Sequence, residues 1–258
     1  MERNRQIAAM CETEDEKMLL IRAYDKLERG MEREVPVSTS FLTPREQALL
    51  QKLLPQCGFF GGTAATERNV AYWLPEYLTK EDFFADGVIS CIRGSFYEKN
   101  ALSHRDVLGA LMGAGIRRDA VGDIIVHENR FEVFVLSELT RYLLDNLTSA
   151  GRHHLSLEQI DPLSVQKPPQ KMRELRVSVS SLRFDSVIAA AFHLSRGAAS
   201  EAIRAGAASL NALICLKPDR GVEEADEISI RGMGKLKILE IHGQTRKDRT
   251  ALTVGIYL

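Results

Sequence analysis

Val88-Ile89-Ser90-Cys91-Ile92-Arg93-Gly94-Ser95-Phe96, with the residues that follow it to Ile160, decides how the middle of this chain folds. Val88 to Phe96 has the composition of a strand. Ser103 is placed to cap a helix from His104 to Met112. Asp123 to His127 and Phe131 to Leu136 read as a strand pair turning at Glu128-Asn129-Arg130. Glu138 to Leu147 then reads as a helix and His154 to Gln159 as a strand. The order is strand, helix, strand, strand, helix, strand.

That order is the split βαβ arrangement of ferredoxin-like domains, which many RNA-recognition domains also use, and it is expected over residues 80–160. The aromatic-rich RNA motif of such domains is not clearly present. Phe96, Tyr97, Phe131 and Phe134 are available either as stacking faces for bases or as ordinary core and sheet packing.

On the N-terminal side, residues 1–79 read as a helical region. Lys17 to Glu28 carries Leu20, Ile21, Tyr24 and Leu27 at helical spacing. Thr43, Pro44 and Glu46 make a capping box with proline at the first helical position, so a helix is expected through Leu54 and stops before Pro55. Phe59-Phe60-Gly61-Gly62 is a glycine-rich turn, followed by Thr66-Glu67-Arg68-Asn69. On the C-terminal side, Asp161 to Pro169 holds three prolines, which stiffen the chain and forbid a continuous helix. A linker is expected over 161–175 and a separate unit over 176–258, which makes the fold class α+β.

With 258 residues, 45% of them hydrophobic, the chain can bury more than one core. It has neither a secretory charge-then-apolar start nor a run of about 18 apolar residues, so it is expected to be soluble and cytoplasmic. Cys11, Cys57, Cys91 and Cys215 lie too far apart for a zinc framework, and no metal or other cofactor is expected. The net charge of −1 divides unevenly. Through Lys171, 21 Lys and Arg face 25 Asp and Glu; from Met172 onward 13 face 10, so the positive excess lies at the C-terminal end.

There, Arg183-Phe184-Asp185 opens an apolar helix through Leu194. Ser195 caps a second helix from Arg196 to Arg204, which Gly206 ends. Ala208 to Leu216 reads as a strand with Asn211 inside it, and Asp226 precedes another at Glu227 to Arg231. Lys235 to Ile241 and Thr250 to Tyr257 alternate like a hairpin whose turn holds Arg246, Lys247 and Arg249. The succession of Arg-Phe-Asp, Ser-Arg, Ala199, Ile203, Gly206, Asn211 and Asp226-Glu-Ile resembles the RNA-binding domain named after small-subunit ribosomal protein four, here the S-four domain, over Arg183 to Arg231. The resemblance implies a basic concave face for structured RNA, carried here by Arg183, Arg196, Arg204, Asn211 and Lys217. Guanidinium groups suit that task because their planar donors bond phosphate oxygens in pairs. The chain departs from the pattern at Ser200, Glu201, Ala207 and Ser209, and Leu210-Asn211-Ala212 stands where Val-Asn-Gly is usual. A weaker phosphate grip follows, which the basic hairpin tip at Arg246, Lys247 and Arg249 is placed to supplement.

Further motifs extend the likeness. Phe41-Leu42-Thr43-Pro44-Arg45-Glu46, Phe60-Gly61-Gly62 with Glu67-Arg68, His104-Arg105-Asp106 with Gly109-Ala110-Leu111, and Gly122-Asp123-Ile124 are similar, in order, to the YlmH-type proteins of Gram-positive bacteria and their photosynthetic relatives. The resemblance implies a non-enzymatic RNA-binding protein on the ribosome, with rRNA or tRNA of the large subunit as partner and a role in quality control of stalled nascent chains. Neither membrane nor DNA is implied. The rivals are an RNA-modifying enzyme, since S-four domains also accompany pseudouridine synthases and tyrosyl-tRNA synthetases, and a protein-interaction factor in cell division or photosystem assembly. The first 160 residues match neither catalytic domain. His104-Arg105-Asp106 imitates a kinase loop without its glycine-rich partner, and Gly234-Lys235 lacks the glycine and hydroxyl that a phosphate loop needs. His153-His154 would point to opposite faces of a strand and so form a poor metal site.

Overall fold

The computed structural model describes residues 2–64, 66–85, 87–97, 102–166, 168, 170–244 and 248–258. Their contacts divide the chain into two units, Met1–Lys167 and Pro168–Leu258.

In the first unit, α1 (Glu2–Met10) is followed by α2 (Glu14–Arg33), capped by the Thr13 hydroxyl, which accepts from Glu16 N. Leu20, Ala23, Leu27 and Gly30 form the buried stripe of α2. Next come β1 (Val37–Leu42), α3 (Pro44–Leu53), β2 (Gly58–Phe60) and β3 (Asn69–Trp73). The capping box on α3 is formed by Thr43 and Glu46, and the helix ends at Leu53. Residues 1–79 are therefore not all helical, because β1, β3 and β2 build a sheet in the order β1-β3-β2. The reason lies in Val37-Ser38-Thr39-Ser40-Phe41-Leu42, where Thr39 and Phe41 point inward with period two between helix-like flanks. The segment Glu67-Arg68 is structural. Asp123 accepts from Glu67 N at 3.0 Å and Arg68 N at 2.8 Å, while the Arg68 guanidinium donates to the carbonyls of Val121, Phe41 and Arg118. Burial pulls that guanidinium down to about 10.

After α4 (Lys80–Ala85), the unit continues through β4 (Ile89–Ser95), α5 (His104–Gly113), β5 (Val121–Val126), β6 (Arg130–Leu136), α6 (Thr140–Asn146), a two-residue hairpin of β7 (Ser149–Ala150) and β8 (His153–His154), and β9 (Ser156–Ile160). Ser103 and Asp106 close a reciprocal capping box on α5. The sheet order is β5-β6-β4-β9 with every neighbour antiparallel, the split βαβ arrangement. One face packs Ile92, Phe131, Val133 and Val135 against Val107, Leu111 and Leu143 of the two helices. The other packs Ile89, Cys91 and Phe134 against Phe41 of β1 and Val70 of β3. Backbones approach closely there: a Cβ on Gly122 would meet the Phe41 ring at 2.7 Å and Phe134 Cβ at 3.1 Å.

The second unit runs β10 (Met172–Val179), α7 (Phe184–Ala191), α8 (Arg196–Arg204), β11 (Ala208–Leu210), β12 (Leu213–Ile214), β13 (Glu227–Ile230), β14 (Gly234–Gln244) and β15 (Thr250–Tyr257). The sheet order is β10-β15-β14-β13-β11-β12. Phe184, Val187, Ile188, Ala199 and Ile203 of the helices bury against Ile228, Leu236, Ile238, Leu252 and Val254. The expected linker over 161–175 is shorter than the residues implied, since Met172 already pairs with Tyr257 in β10. Alternation through Met172 to Val179 outweighs the prolines before it.

The expected strand Ala208–Leu216 is instead a hairpin, with Leu210 paired to Leu213 across Asn211-Ala212. Both turn residues lie at positive φ, 50° and 66°, which is the type I′ geometry that normally demands glycine second. Alanine there holds a left-handed backbone that a Cβ disfavours by about 1 kcal/mol. Ala212→Gly should therefore raise stability by about 0.5 to 1 kcal/mol, after the extra freedom of glycine in the unfolded chain is subtracted. A chemical-denaturation midpoint that stays put or falls would contradict this account of the turn.

Candidate nucleic-acid interface

In the second unit the expected basic face is organised by an acid. Asp185, 2% exposed in the first turn of α7, accepts from Arg183 Nε at 3.2 Å and Nη2 at 3.0 Å, from Arg196 Nε at 3.4 Å and from Ser200 Oγ at 3.4 Å. Burial pushes the Asp185 carboxyl up, but bonding to and charge from Arg183, with the charge of Arg196, outweigh burial and leave it below the usual carboxylate value. Each guanidinium spends part of its donor fork on Asp185, while the Arg183 and Arg196 side chains stay 38% and 53% exposed. Two cations are thereby held in fixed orientation, their remaining donors free for phosphate oxygens.

The loop after β12 completes this face. Lys217-Pro218-Asp219-Arg220 is a turn with proline at its second position, closed by Arg220 N donating to Lys217 O at 3.2 Å. It docks on the start of α7, where Phe184 N donates to Arg220 O at 2.8 Å and Asp185 N to Pro218 O at 2.9 Å. Lys217 and Arg220 are both exposed on this docked loop, and Arg183 forms a β-bridge with Gly221 at its end. Arg220 escaped the sequence reading; its signal was the Lys-Pro-Asp-Arg turn itself. Arg204 shares the α8 face of Arg196 and Ser200 and is exposed, about 12 Å farther along the axis.

Two expected contacts are otherwise engaged. Asn211 donates through Nδ2 to Asp226 Oδ1 at 2.8 Å and accepts from Glu227 N at 2.9 Å, so its amide holds the β11–β12 turn to the start of β13. Arg249 bonds Ser178 of β10, through Nε to Oγ at 3.3 Å and through Nη2 to the carbonyl oxygen. Arg246 and Lys247 lie outside the described residues.

The first unit carries a similar device. Glu132, 2% exposed on β6, accepts from Arg93 Nε and Arg130 Nε, each at 3.0 Å, and lies 2.6 Å from His127 Nε2. Arg93 also approaches Glu158 at 3.8 Å. These residues occupy the part of the sheet face that is charged rather than apolar. Of the aromatics considered for base stacking, Phe131 and Phe134 are fully buried and Phe96 is 2% exposed; Tyr97, at 97%, is open. The face on which RNA-recognition domains stack bases is here occupied by β1 and β3. His153 is buried against the Phe96 ring, 5.1 Å between centroids, while His154 faces out. Among the described residues no cluster of three metal-ligating side chains occurs, and no helix is long and apolar enough to cross a membrane.

Comparison with known proteins matches residues 93–163 to a family described as "Putative RNA-binding domain in YlmH". That span includes Arg93, His127, Arg130, Glu132 and Glu158. The chain is also 34% identical over 220 residues, 83% of its length and 85% of the relative's, to "Ribosome-associated protein quality control protein P2" of Bacillus subtilis (strain 168). A solved structure titled "Cell division protein ylmH from Streptococcus pneumoniae" shares the fold with a TM-score of 0.50 at 23% identity, covering 58% of this chain and 93% of that one. Identity of 34% over most of both sequences places the chain in one family with the Bacillus subtilis protein, and it belongs to the YlmH family.

Proposed function

We propose that this protein is a non-enzymatic, cytoplasmic RNA-binding protein of the ribosome. On this reading it grips rRNA or tRNA of the large subunit with an S-four domain built from the second unit and serves quality control of stalled nascent chains. One observation carries the proposal: the buried Asp185 carboxylate fixes Arg183 and Arg196 with their outer donors exposed, with Lys217 and Arg220 exposed on the loop docked at the start of α7 and Arg204 exposed farther along α8. Such an array suits phosphate oxygens, which accept bonds in pairs from planar donors. The printed name of the Bacillus subtilis relative supports the ribosomal setting, and the family match over residues 93–163 supports RNA as the ligand class. Groups that imitate catalytic motifs are spent in the fold, as where Asp106 caps α5, which supports a binding role over chemistry.

Charge reversal tests this best at cations that hold nothing else. Arg196→Glu would set a second carboxylate against buried Asp185 and disturb folding. Arg204 and Lys217 are exposed and make no ion pair among the described residues, so Arg204→Glu with Lys217→Glu should fold normally. Lysates resolved on sucrose gradients should place wild type with the large subunit and the double variant near the top, with wild type also released as salt rises. Free sedimentation of wild type at low salt would overturn the ribosomal reading.

A further inference from the structure

Helix α2 carries Arg22, Lys26, Arg29 and Arg33 at intervals of four, three and four, which puts all four on one side within about 60° of arc. The stripe is about 16 Å long, and each of its members is exposed. None pairs with a carboxylate within 4.0 Å among the described residues, and Arg29 instead donates to its own helix at Asp25 O. Asp25, Glu28 and Glu16 of the helix are occupied elsewhere. Arg3 of α1 bridges Asp25 and Glu28, each at 2.6 Å, and Arg45 bridges Glu16 at 2.8 Å. Asp119, which feels the charge of Arg22, is bridged by Arg117 at 2.6 Å. The stripe thus keeps its positive charge, although Glu32 lies within its span, just before Arg33, and Glu138 lies at one end.

Beside the stripe runs a groove of about 450 Å³ in which Arg22 and Lys26 face Ser38, Ser40, Ser137 and Glu138. A second groove of about 510 Å³ follows the same helix past Arg29 and Arg33. Ser137 and Glu138 fall inside the family-matched residues 93–163, so the stripe adjoins the matched domain within one unit.

We propose that this stripe and its serine-lined groove bind the phosphate backbone of an RNA strand, extending onto α2 the RNA contact of residues 93–163. The inference rests on the reading of the chain as an RNA binder. Unpaired cations at helical spacing beside hydroxyl donors match consecutive phosphates, whose neutralisation releases counterions. A membrane surface fits poorly, because an interfacial helix must insert its apolar face. Here Leu20, Ala23, Leu27 and Gly30 are buried inside the unit.

The test uses the full chain with a mixed-sequence RNA stem-loop, measuring affinity at several salt concentrations. Changing Arg22, Lys26, Arg29 and Arg33 together to Gln should weaken binding about 100-fold at low salt and flatten the log–log salt slope by about 3 units. A variant with Arg22→Lys, Arg29→Lys and Arg33→Lys should keep the wild-type slope, which separates charge from packing. Unchanged thermal unfolding excludes misfolding as the cause. A wild-type slope in the Gln variant overturns the inference while leaving the RNA-binding reading intact, whereas failure of wild type to bind overturns both. If the Gln variant keeps RNA but loses anionic phospholipid vesicles or polyglutamate, the stripe serves a membrane or an acidic protein and the inference is likewise overturned.

Discussion

Phe134→Ala should cost the first unit about 3 to 5 kcal/mol, because the ring is fully buried between Cys91, Phe41 and the backbone at Gly122 and its removal leaves a cavity that rigid strands fill poorly. At a few degrees per kcal/mol, the transition of that unit should fall by about 10 °C. The same substitution would read differently if Phe134 stacked on a base. RNA affinity would then drop by about 1 to 3 kcal/mol while the melting temperature held. Thermal unfolding and RNA affinity of one variant, the latter taken well below its transition, decide between the two. Unchanged stability with lost affinity would mean that β1 and β3 do not cover this sheet face in solution. Tyr97, 97% exposed, is the contrasting control, since Tyr97→Ala should leave the melting temperature alone.

The strand and helix order of residues 89–160 was legible because each element announces itself locally. The Ser103 cap was readable from its place before the helix, as was the box of Thr43 and Glu46 ahead of α3, whereas the reciprocal bond to Asp106 emerged only in the structure. What covers the sheet was not legible. Phe134 on an open face and Phe134 under β1 have the same neighbours in sequence, and only the tertiary fold distinguishes them. The hairpin at Asn211-Ala212 was hidden for a related reason: without glycine at the second turn position, nine residues from Ala208 to Leu216 look like one strand.

The arginines of the interface were legible as charges but not as a geometry. A lone Glu132 in a strand, or a lone Asp185 at a helix start, reads as a solvated acid. Each is instead a buried anchor for two guanidinium groups. The two units thus reach one solution separately. A carboxylate hidden beneath the surface lowers the local positive charge, yet it holds flexible cationic side chains in place, so less conformational entropy is lost when RNA is bound.

Asp185 separates these two effects. Asp185→Ala removes one negative charge from the face, so charge counting alone expects tighter RNA binding. Positioning expects the reverse, since Arg183 and Arg196 lose their common acceptor and must be ordered by the RNA itself, which weakens binding about 30-fold at about 1 kcal/mol for each of the two long side chains immobilised. Stability of the second unit should also fall, by about 2 to 3 kcal/mol, because a buried hydrogen-bonded carboxylate is lost. The pH dependence carries its own sign. The carboxyl of Asp185 is held below its unfolded value, so its contribution is complete above that value and disappears as pH falls through the lower folded one. The stability advantage of wild type over Asp185→Asn should accordingly stay constant at neutral pH and shrink only below about pH 4. If Asp185→Ala bound RNA more tightly than wild type with an unchanged melting temperature, the carboxylate would be an electrostatic brake rather than an anchor, and the arginine face would owe its orientation to something else.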